Sequence, residues 1–231
     1  MEYFIFKNID TRLITGLIVT SLPPITKPKL RVERLEIDGR DGSIINELGY
    51  ESYEKKVEIG LTRNYDLDYI MSWLNGEGEI TFSNEPDKYY RVKIINQIDY
   101  EKLLRFKKAV VTFETQPFKY SNIEGKKTFE VTGLNEIVVR NVGNYKSKPI
   151  ITLYGNGIVN VSLNGTQQFV LDLTNDTSIT LDSEEQEAYS EGELKNRQME
   201  GQFINLEVGK NIITWNGTLT KIEISKYSRW L

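Results

Sequence analysis

Over the last third of this chain, apolar residues fall at every second position in one short run after another. Ile151 and Leu153 alternate with outward positions, and so do Val159, Val161 and Leu163. The same period of two recurs at Phe169, Leu171 and Leu173, at Ile179 and Leu181, and at Ile222 and Ile224. A period of two puts one side chain in each pair on a buried face, so each run predicts a half-buried strand. Asn164-Gly165 and Asn216-Gly217 stand where two-residue hairpin turns would join such strands, since both central residues of that turn need positive φ. Short strands spaced by roughly 8–12 residues and punctuated by such turns predict a β-sandwich over residues 128–231.

Residues 1–120 read differently. Tyr3, Phe4, Ile5 and Phe6 open the region as a short apolar strand, and Leu13, Ile14, Leu17, Ile18 and Val19 suggest a second strand or turn region. The segment SLPPITKP at 21–28 cannot continue a central strand, because its three prolines remove backbone donors. Beyond it, Leu30, Val32, Arg34, Glu36 and Asp38 share one face by period two, and Arg31, Glu33, Leu35 and Ile37 share the other. Neither face is uniformly apolar, so an edge or interface strand fits better than a core one. A turn-rich loop follows at Asp38-Gly39-Arg40-Asp41-Gly42, and then a half-buried strand at Val57, Ile59 and Leu61.

One helix is expected, over 64–74. Leu67, Ile70, Met71 and Leu74 lie at i, i+3, i+4 and i+7, which aligns them on one face. Asn64 or Asp66 can cap its start, and Gly76 stands where a left-handed C-terminal cap would be. A hairpin is expected next, with strands at 79–82 and 89–95 and its turn at Ser83-Asn84-Glu85-Pro86-Asp87. A strand at 109–113 closes the region before Gln116-Pro117-Phe118. The polar, glycine-bearing stretch 121–127 is expected to link the two domains, 1–120 and 128–231.

Composition narrows the function classes. The length, 231 residues, is enough for two domains of about 100–130 residues each. The net charge is −4, divided as 18 Lys/Arg against 19 Asp/Glu up to residue 120 and 11 against 14 beyond it. Neither half carries the basic surplus that nucleic-acid binding needs. The chain has no Cys and no His. That rules out disulfides, a Ser-His-Asp triad, a Cys nucleophile and a His acid/base, and it removes the usual zinc ligands. The N-terminus, MEYFIFKNIDTR, lacks the basic start and apolar run of a signal peptide. No stretch reaches the roughly 18 apolar residues of a membrane span.

Several local patterns invite a chemical reading. The carboxylates Asp182, Glu184, Glu185 and Glu187 could serve glycoside hydrolysis or hold calcium, but an acidic loop between strands is usually a solvated loop. The loop from Asp38 lacks the spacing of a calcium loop, and its twelfth position is Gly49; a tight turn with a local Arg–Asp pair is the simpler reading. Gly155-Asn156-Gly157 begins like a dinucleotide loop, but position 160 is Asn and strands flank it on both sides. Sequons occur at Asn160, Asn164, Asn175 and Asn216, two of them being the hairpin turns themselves. Trp73 lies beside the apolar helix face, which favours packing over ligand stacking. No catalytic, metal or cofactor residues are expected.

A set of motifs in fixed order reaches further. In the first domain they are Gly39-Arg40-Asp41-Gly42, Leu48-Gly49-Tyr50, Ile70-Met71-Ser72-Trp73-Leu74, the hairpin from 78–82 to Tyr89-Tyr90-Arg91-Val92, and 113–118. In the second they begin with Asn141-Val142-Gly143-Asn144, Ser147-Lys148-Pro149-Ile150-Ile151 and Gly155-Asn156-Gly157. Leu163-Asn164-Gly165, Leu181-Asp182-Ser183-Glu184, Gly209-Lys210-Asn211-Ile212, Trp215-Asn216-Gly217 and Arg229-Trp230 follow. With these motifs the chain resembles, over nearly its whole length, the distal tail protein (Dit) family of siphophage tails.

The resemblance implies a mainly β protein: an N-terminal belt domain of β-sandwich, helix and hairpin, and a C-terminal galectin-like β-sandwich. It implies a structural component of a long non-contractile tail tip, located in the virion and made in the bacterial host cytoplasm. Members form a hexameric ring between the major tail tube protein and the tail-associated hub protein, with receptor-binding or baseplate proteins as further partners. No enzymatic activity is implied. The rival reading is a carbohydrate-binding module that contacts host cell-wall polysaccharide; a glycosidase built on Asp182 and Glu184 ranks below it. The residues expected to make the ring contact are Leu30, Val32, Arg34, Glu36 and Asp38, with Gly39, Arg40, Asp41 and Gly42 of the adjoining loop.

Overall fold

The computed structural model describes residues 1–96 and 98–231, and all of their side chains except that of residue 102. The chain divides into two compact units, one over Met1–Asn122 and the other over Ile123–Trp230. No regular element covers residues 122–126.

The first unit is built on one antiparallel sheet. Its strands are β1 (Phe4–Phe6), β2 (Ile9–Asp10), β3 (Leu17–Ser21), a hairpin of β4 (Leu30–Glu36) and β5 (Ser43–Tyr50), and β6 (Tyr53–Leu61). Helix α1 (Leu67–Trp73), β7 (Gly76–Phe82), β8 (Lys88–Ile94), helix α2 (Tyr100–Phe106) and β9 (Lys108–Ser121) complete it. The sheet runs β2-β1-β7-β8-β9-β6-β3, while β4 and β5 form a two-stranded sheet of their own. Phe4, Phe6, Phe82 and Phe113 are fully buried under α1. Trp73 stacks on Phe4 at 5.7 Å between ring centroids and donates its indole N–H to the Phe6 carbonyl at 3.1 Å. That bond satisfies the polar end of an otherwise apolar ring, as burial of Trp requires.

The helices differ from expectation in two ways. Helix α1 is shorter, because Asn64 is left-handed (φ 62°) and the extended Asp66 is the residue that caps, accepting from the Tyr69 N–H at 3.0 Å. Gly76 has the expected positive φ, but the helix has already ended at Leu74, whose N–H reaches the Ile70 carbonyl. Gly76 instead opens β7. The second helix, α2, is an addition to the single one expected. Its buried anchor is Leu103, with Tyr100 packed against the core one turn earlier, while Leu104 and Phe106 face solvent, so the apolar stripe is a single turn long. The closing strand is also longer than 109–113. It runs through Pro117, which lies in a bulge where residues 116–118 stand opposite Arg91 alone.

The second unit contains β10 (Lys127–Glu130), β11 (Glu136–Asn141), β12 (Ile150–Leu163), β13 (Thr166–Asp172) and β14 (Ser178–Asp182). It continues with β15 (Glu187–Ser190), β16 (Glu193–Leu194), β17 (Met199–Gly201), β18 (Gly209–Ser225) and β19 (Arg229–Trp230). Strands β12 and β18 pair along nearly their whole length within one nine-stranded sheet, and each serves both of its halves. Their halves at 150–156 and 218–225 carry β10 on one side and β14, β15 and β16 on the other. Their halves at 158–163 and 209–214 carry β11 on one side and β13 and β17 on the other. Between the halves the register slips, with Asn156 opposite Thr218 and Asn160 opposite Asn216. Strands that change sheets at a bulge make the corner of a sandwich.

This corner corrects the reading of Asn216-Gly217 as a hairpin turn. The pair lies within β18, and Gly217 (φ 130°) takes a backbone conformation that other residues rarely adopt. Asn164-Gly165 is the two-residue hairpin expected, with φ of 51° and 81° joining β12 to β13. The core between the layers holds Leu153, Val159, Val161, Phe169, Leu171, Ile179, Ile222 and Ile224, the residues whose alternation predicted the strands.

Candidate functional site

The nine residues singled out for the ring contact lie together on one feature, an arm formed by β4, β5 and the loop between them. Leu30, Val32, Arg34 and Glu36 alternate along β4; opposite them β5 places Tyr50, Glu47, Ile45 and Ser43. Leu48 is the extra residue of a bulge where the pairing passes from Arg31–Gly49 to Val32–Glu47. At the far end the Arg40 N–H bonds the Ile37 carbonyl at 3.1 Å, closing a turn over Asp38 and Gly39, and Gly42 leads into β5. Leu30 and Val32 are half-buried near the root, and Arg34, Glu36, Asp38, Gly39, Arg40, Asp41 and Gly42 are exposed. The local Arg–Asp pair expected in this loop does not form: among the described residues Arg40 makes no ion pair with Asp38 or Asp41.

The arm carries apolar surface into solvent. Leu35 is 52% exposed, Ile45 57% and Leu48 56%, with Ile37 and Ile44 also open. Leu35 and Ile44 pair across the two strands on one face, while Val32 and Ile45 lie on the other. Both strands also keep an outer edge, since the sheet has two strands only. An isolated two-stranded ribbon is at best marginally stable in water and needs a further strand or an apolar surface against it.

The root of the arm is tied to the unit's interior. The Pro23 carbonyl accepts from the Asn84 side chain at 3.1 Å, and the Pro24 carbonyl accepts from Lys55 Nζ at 3.0 Å. The returning strand seats Tyr50 edge-on against Phe118, at 5.8 Å. Lys29 and Glu51 form an ion pair across the base at 3.2 Å, and the Glu51 N–H donates to the Lys29 carbonyl.

The acidic stretch of the second unit is a turn rather than a ligand set. Asp182 caps it, accepting from the Glu184 and Glu185 N–H groups at 2.8 and 3.1 Å. Glu184 pairs with Lys148 at 3.3 Å. Among the described residues no cluster of three or more potential metal ligands occurs, and no helix is long and apolar enough to cross a membrane.

Comparison with known proteins places this geometry. Residues 12–115, which include the whole arm and both helices, match the family described as phage tail protein RIFT-related domain. That match lies within the first unit. The full chain has the fold of the Dit protein of phage SPP1, described as a paradigm of hub adsorption apparatus in Gram-positive infecting phages. That likeness has a TM-score of 0.69 at 17% identity and covers 98% of this chain and 99% of the other. A chain of the phage p2 baseplate, in its activated conformation with strontium, is similar over 96% of this chain and 98% of that one, with a TM-score of 0.51 at 8% identity. Curated protein sequences give no match. Residues 12–115 thus match a phage tail family model, and the full chain shares the fold of a Dit protein, the family that the motifs resemble.

Proposed function

We propose that this protein is the hub of a siphophage tail tip, and that six copies close into a ring through the β4–β5 arm. The ring stands between the major tail tube protein and the tail-associated hub protein, and receptor-binding or baseplate proteins attach around it. The protein thereby supports host adsorption as part of the virion, without enzymatic activity.

The arm carries this reading. It is a long ribbon, open at both edges and carrying exposed apolar residues on both faces, within the residues that match a phage tail family model. A surface of that kind is stable when covered, and a closed ring covers it once per subunit with no special terminal copy. Leu30, Val32, Arg34, Glu36, Asp38, Gly39, Arg40, Asp41 and Gly42 would then contact the neighbouring subunit. The mixed charges along β4 would set register and orientation while the apolar residues supply contact area. The first domain, taken as 1–120, would form the ring, the linker 121–127 would leave it, and the sandwich 128–231 would present outward-facing docking surface.

Negative-stain electron microscopy of the purified full-length protein, with light scattering for mass, tests the proposal. Six-fold rings with a central hole are expected, either alone or with the hub protein added. Charge reversal at Arg34 and Arg40 together should disperse them. Rings that survive both reversals would remove the arm from the interface. A monomer under every condition that also bound cell-wall glycan saturably would favour a carbohydrate-binding module instead.

A further inference from the structure

Lys55 occupies an unusual place for its chemistry. It lies on β6, in the inward-facing series with Val57 and Ile59, and the residue is only 2% exposed. Its Nζ sits 4.8 Å from the centre of the Tyr90 ring, 5.4 Å from that of Tyr53 and 5.9 Å from that of Phe82. Aromatic faces attract a cation but do not replace water fully. The nearby carboxylate, Glu85, is already engaged: one oxygen accepts from Lys119 at 2.6 Å, and the other accepts from the Tyr90 hydroxyl. Lys55 Nζ donates instead to a backbone carbonyl, that of Pro24.

Burying a cation for a single carbonyl is costly, and an apolar side chain at this position would pack without that cost. What the arrangement achieves lies on the carbonyl side. Residues 22–28 contain three prolines and pair with no strand, so their carbonyls have no ladder to join. Asn84 and Lys55 take the Pro23 and Pro24 carbonyls, six to seven residues before β4 begins.

We propose that Lys55 is the positioning residue of the arm, fixing from inside the first unit the direction in which the outgoing leg departs through the Pro24 carbonyl, with Asn84 on Pro23 as its auxiliary. The ring reading above supplies the reason for holding the arm still, and this inference rests on it; the anchoring itself is measurable without a ring.

The anchor is sensitive to pH. Burial pulls the Lys55 amine down to about 8, with Glu85 opposing the fall and Lys119 adding to it. The other groups facing it, Tyr53 on β6 and Tyr90 on β8, are raised by burial, Tyr53 to about 12, and stay neutral through that range. Because the folded value lies below the unfolded one, charged Lys55 costs the fold stability below pH 8, and that cost is recovered between pH 8 and the ordinary lysine range near 10.5. Over the same window the charge-assisted bond to Pro24 becomes a neutral, weaker one. Fold stability and arm anchoring therefore respond to alkaline pH in opposite directions.

The chain has no Cys, so two introduced cysteines take spin labels uniquely. Labels at Ser43→Cys on the arm and Ser72→Cys on α1, in labelled protein diluted with unlabelled, report the arm's spread by pulsed electron resonance, while light scattering reports assembly. Lys55→Met should widen the distance distribution at least about twofold while the melting temperature holds or rises. Asn84→Ala should widen it less. The parent protein should widen from pH 7 to pH 9.5, and the Lys55→Met variant should not change. An unchanged width in Lys55→Met, or failure of that variant to fold, would overturn the proposal. Normal widening without any ring in the parent would overturn the ring reading and leave the anchor in place.

Discussion

The β4–β5 hairpin and the β12–β13 hairpin are both antiparallel ribbons with alternating side chains and a glycine-bearing turn, yet only the second is absorbed into a core. Around β12–β13 every inward position, from Val159 to Leu171, is buried between two layers. Along β4–β5 Leu35 and Ile44 on one face and Ile45 on the other stay exposed, with no second layer over them among the described residues. Local pattern determines that a hairpin forms; the surface left uncovered marks where the protein expects company.

The contrast breaks first in the sandwich. Leu171→Ala removes a fully buried side chain where two layers meet, and should cost about 2–5 kcal/mol in urea denaturation. Leu35→Ala on the arm should change the same measurement by less than about 0.5 kcal/mol. Equal costs at the two positions would mean that the arm is packed in the isolated protein, and the comparison would fail.

The sheet-switching corner is the next test. A Cβ at Gly217 would meet the Ile158 carbonyl oxygen and the Val159 backbone, at a φ of 130° that L side chains avoid. Gly217→Ala should cost about 1–3 kcal/mol of unfolding free energy. The same change at Gly42, φ 80° with open space around it, carries the backbone penalty without the collision and should cost about 1 kcal/mol. The difference between the two costs measures how tightly the bent strands approach.

This corner also shows where sequence reading stops. The alternation at Val159, Val161, Phe169 and Leu171 revealed the strands, because one buried face per strand is a local property. Whether Asn216-Gly217 turns the chain back or only bends it depends on the partner strand, and the two outcomes ask for the same residues. Helix α2 was illegible for another reason: its packed residues, Tyr100 and Leu103, span a single turn, too short a stripe to separate a helix from a loop. On the candidate site, period two together with the prolines at 23, 24 and 28 was enough to mark 30–38 as an unusual strand. The anchoring of the arm was not legible. Lys55 stands in the pattern of β6 where an apolar residue is expected, and such a violation of local pattern often marks a residue kept for another purpose. Its partner is a proline carbonyl 31 residues earlier, which no spacing rule connects to it.

The smallest effect on stability should accompany the largest effect on assembly. Leu35→Ser with Ile44→Ser replaces an exposed cross-strand pair, so the isolated subunit should keep its unfolding midpoint within about 0.5 kcal/mol of the parent. If the arm is covered by a neighbouring copy, the same change removes two apolar side chains from each of the contacts around the ring. A buried apolar side chain is worth about 1.5–3 kcal/mol, so the loss per contact is several kcal/mol and the rings should disperse at concentrations where the parent assembles. Sedimentation velocity across a dilution series measures this directly. A double variant that assembles like the parent would show the arm's apolar surface to be incidental. Loss of rings with an unchanged unfolding midpoint would separate assembly from folding on two side chains, which is what a surface kept open for a partner requires.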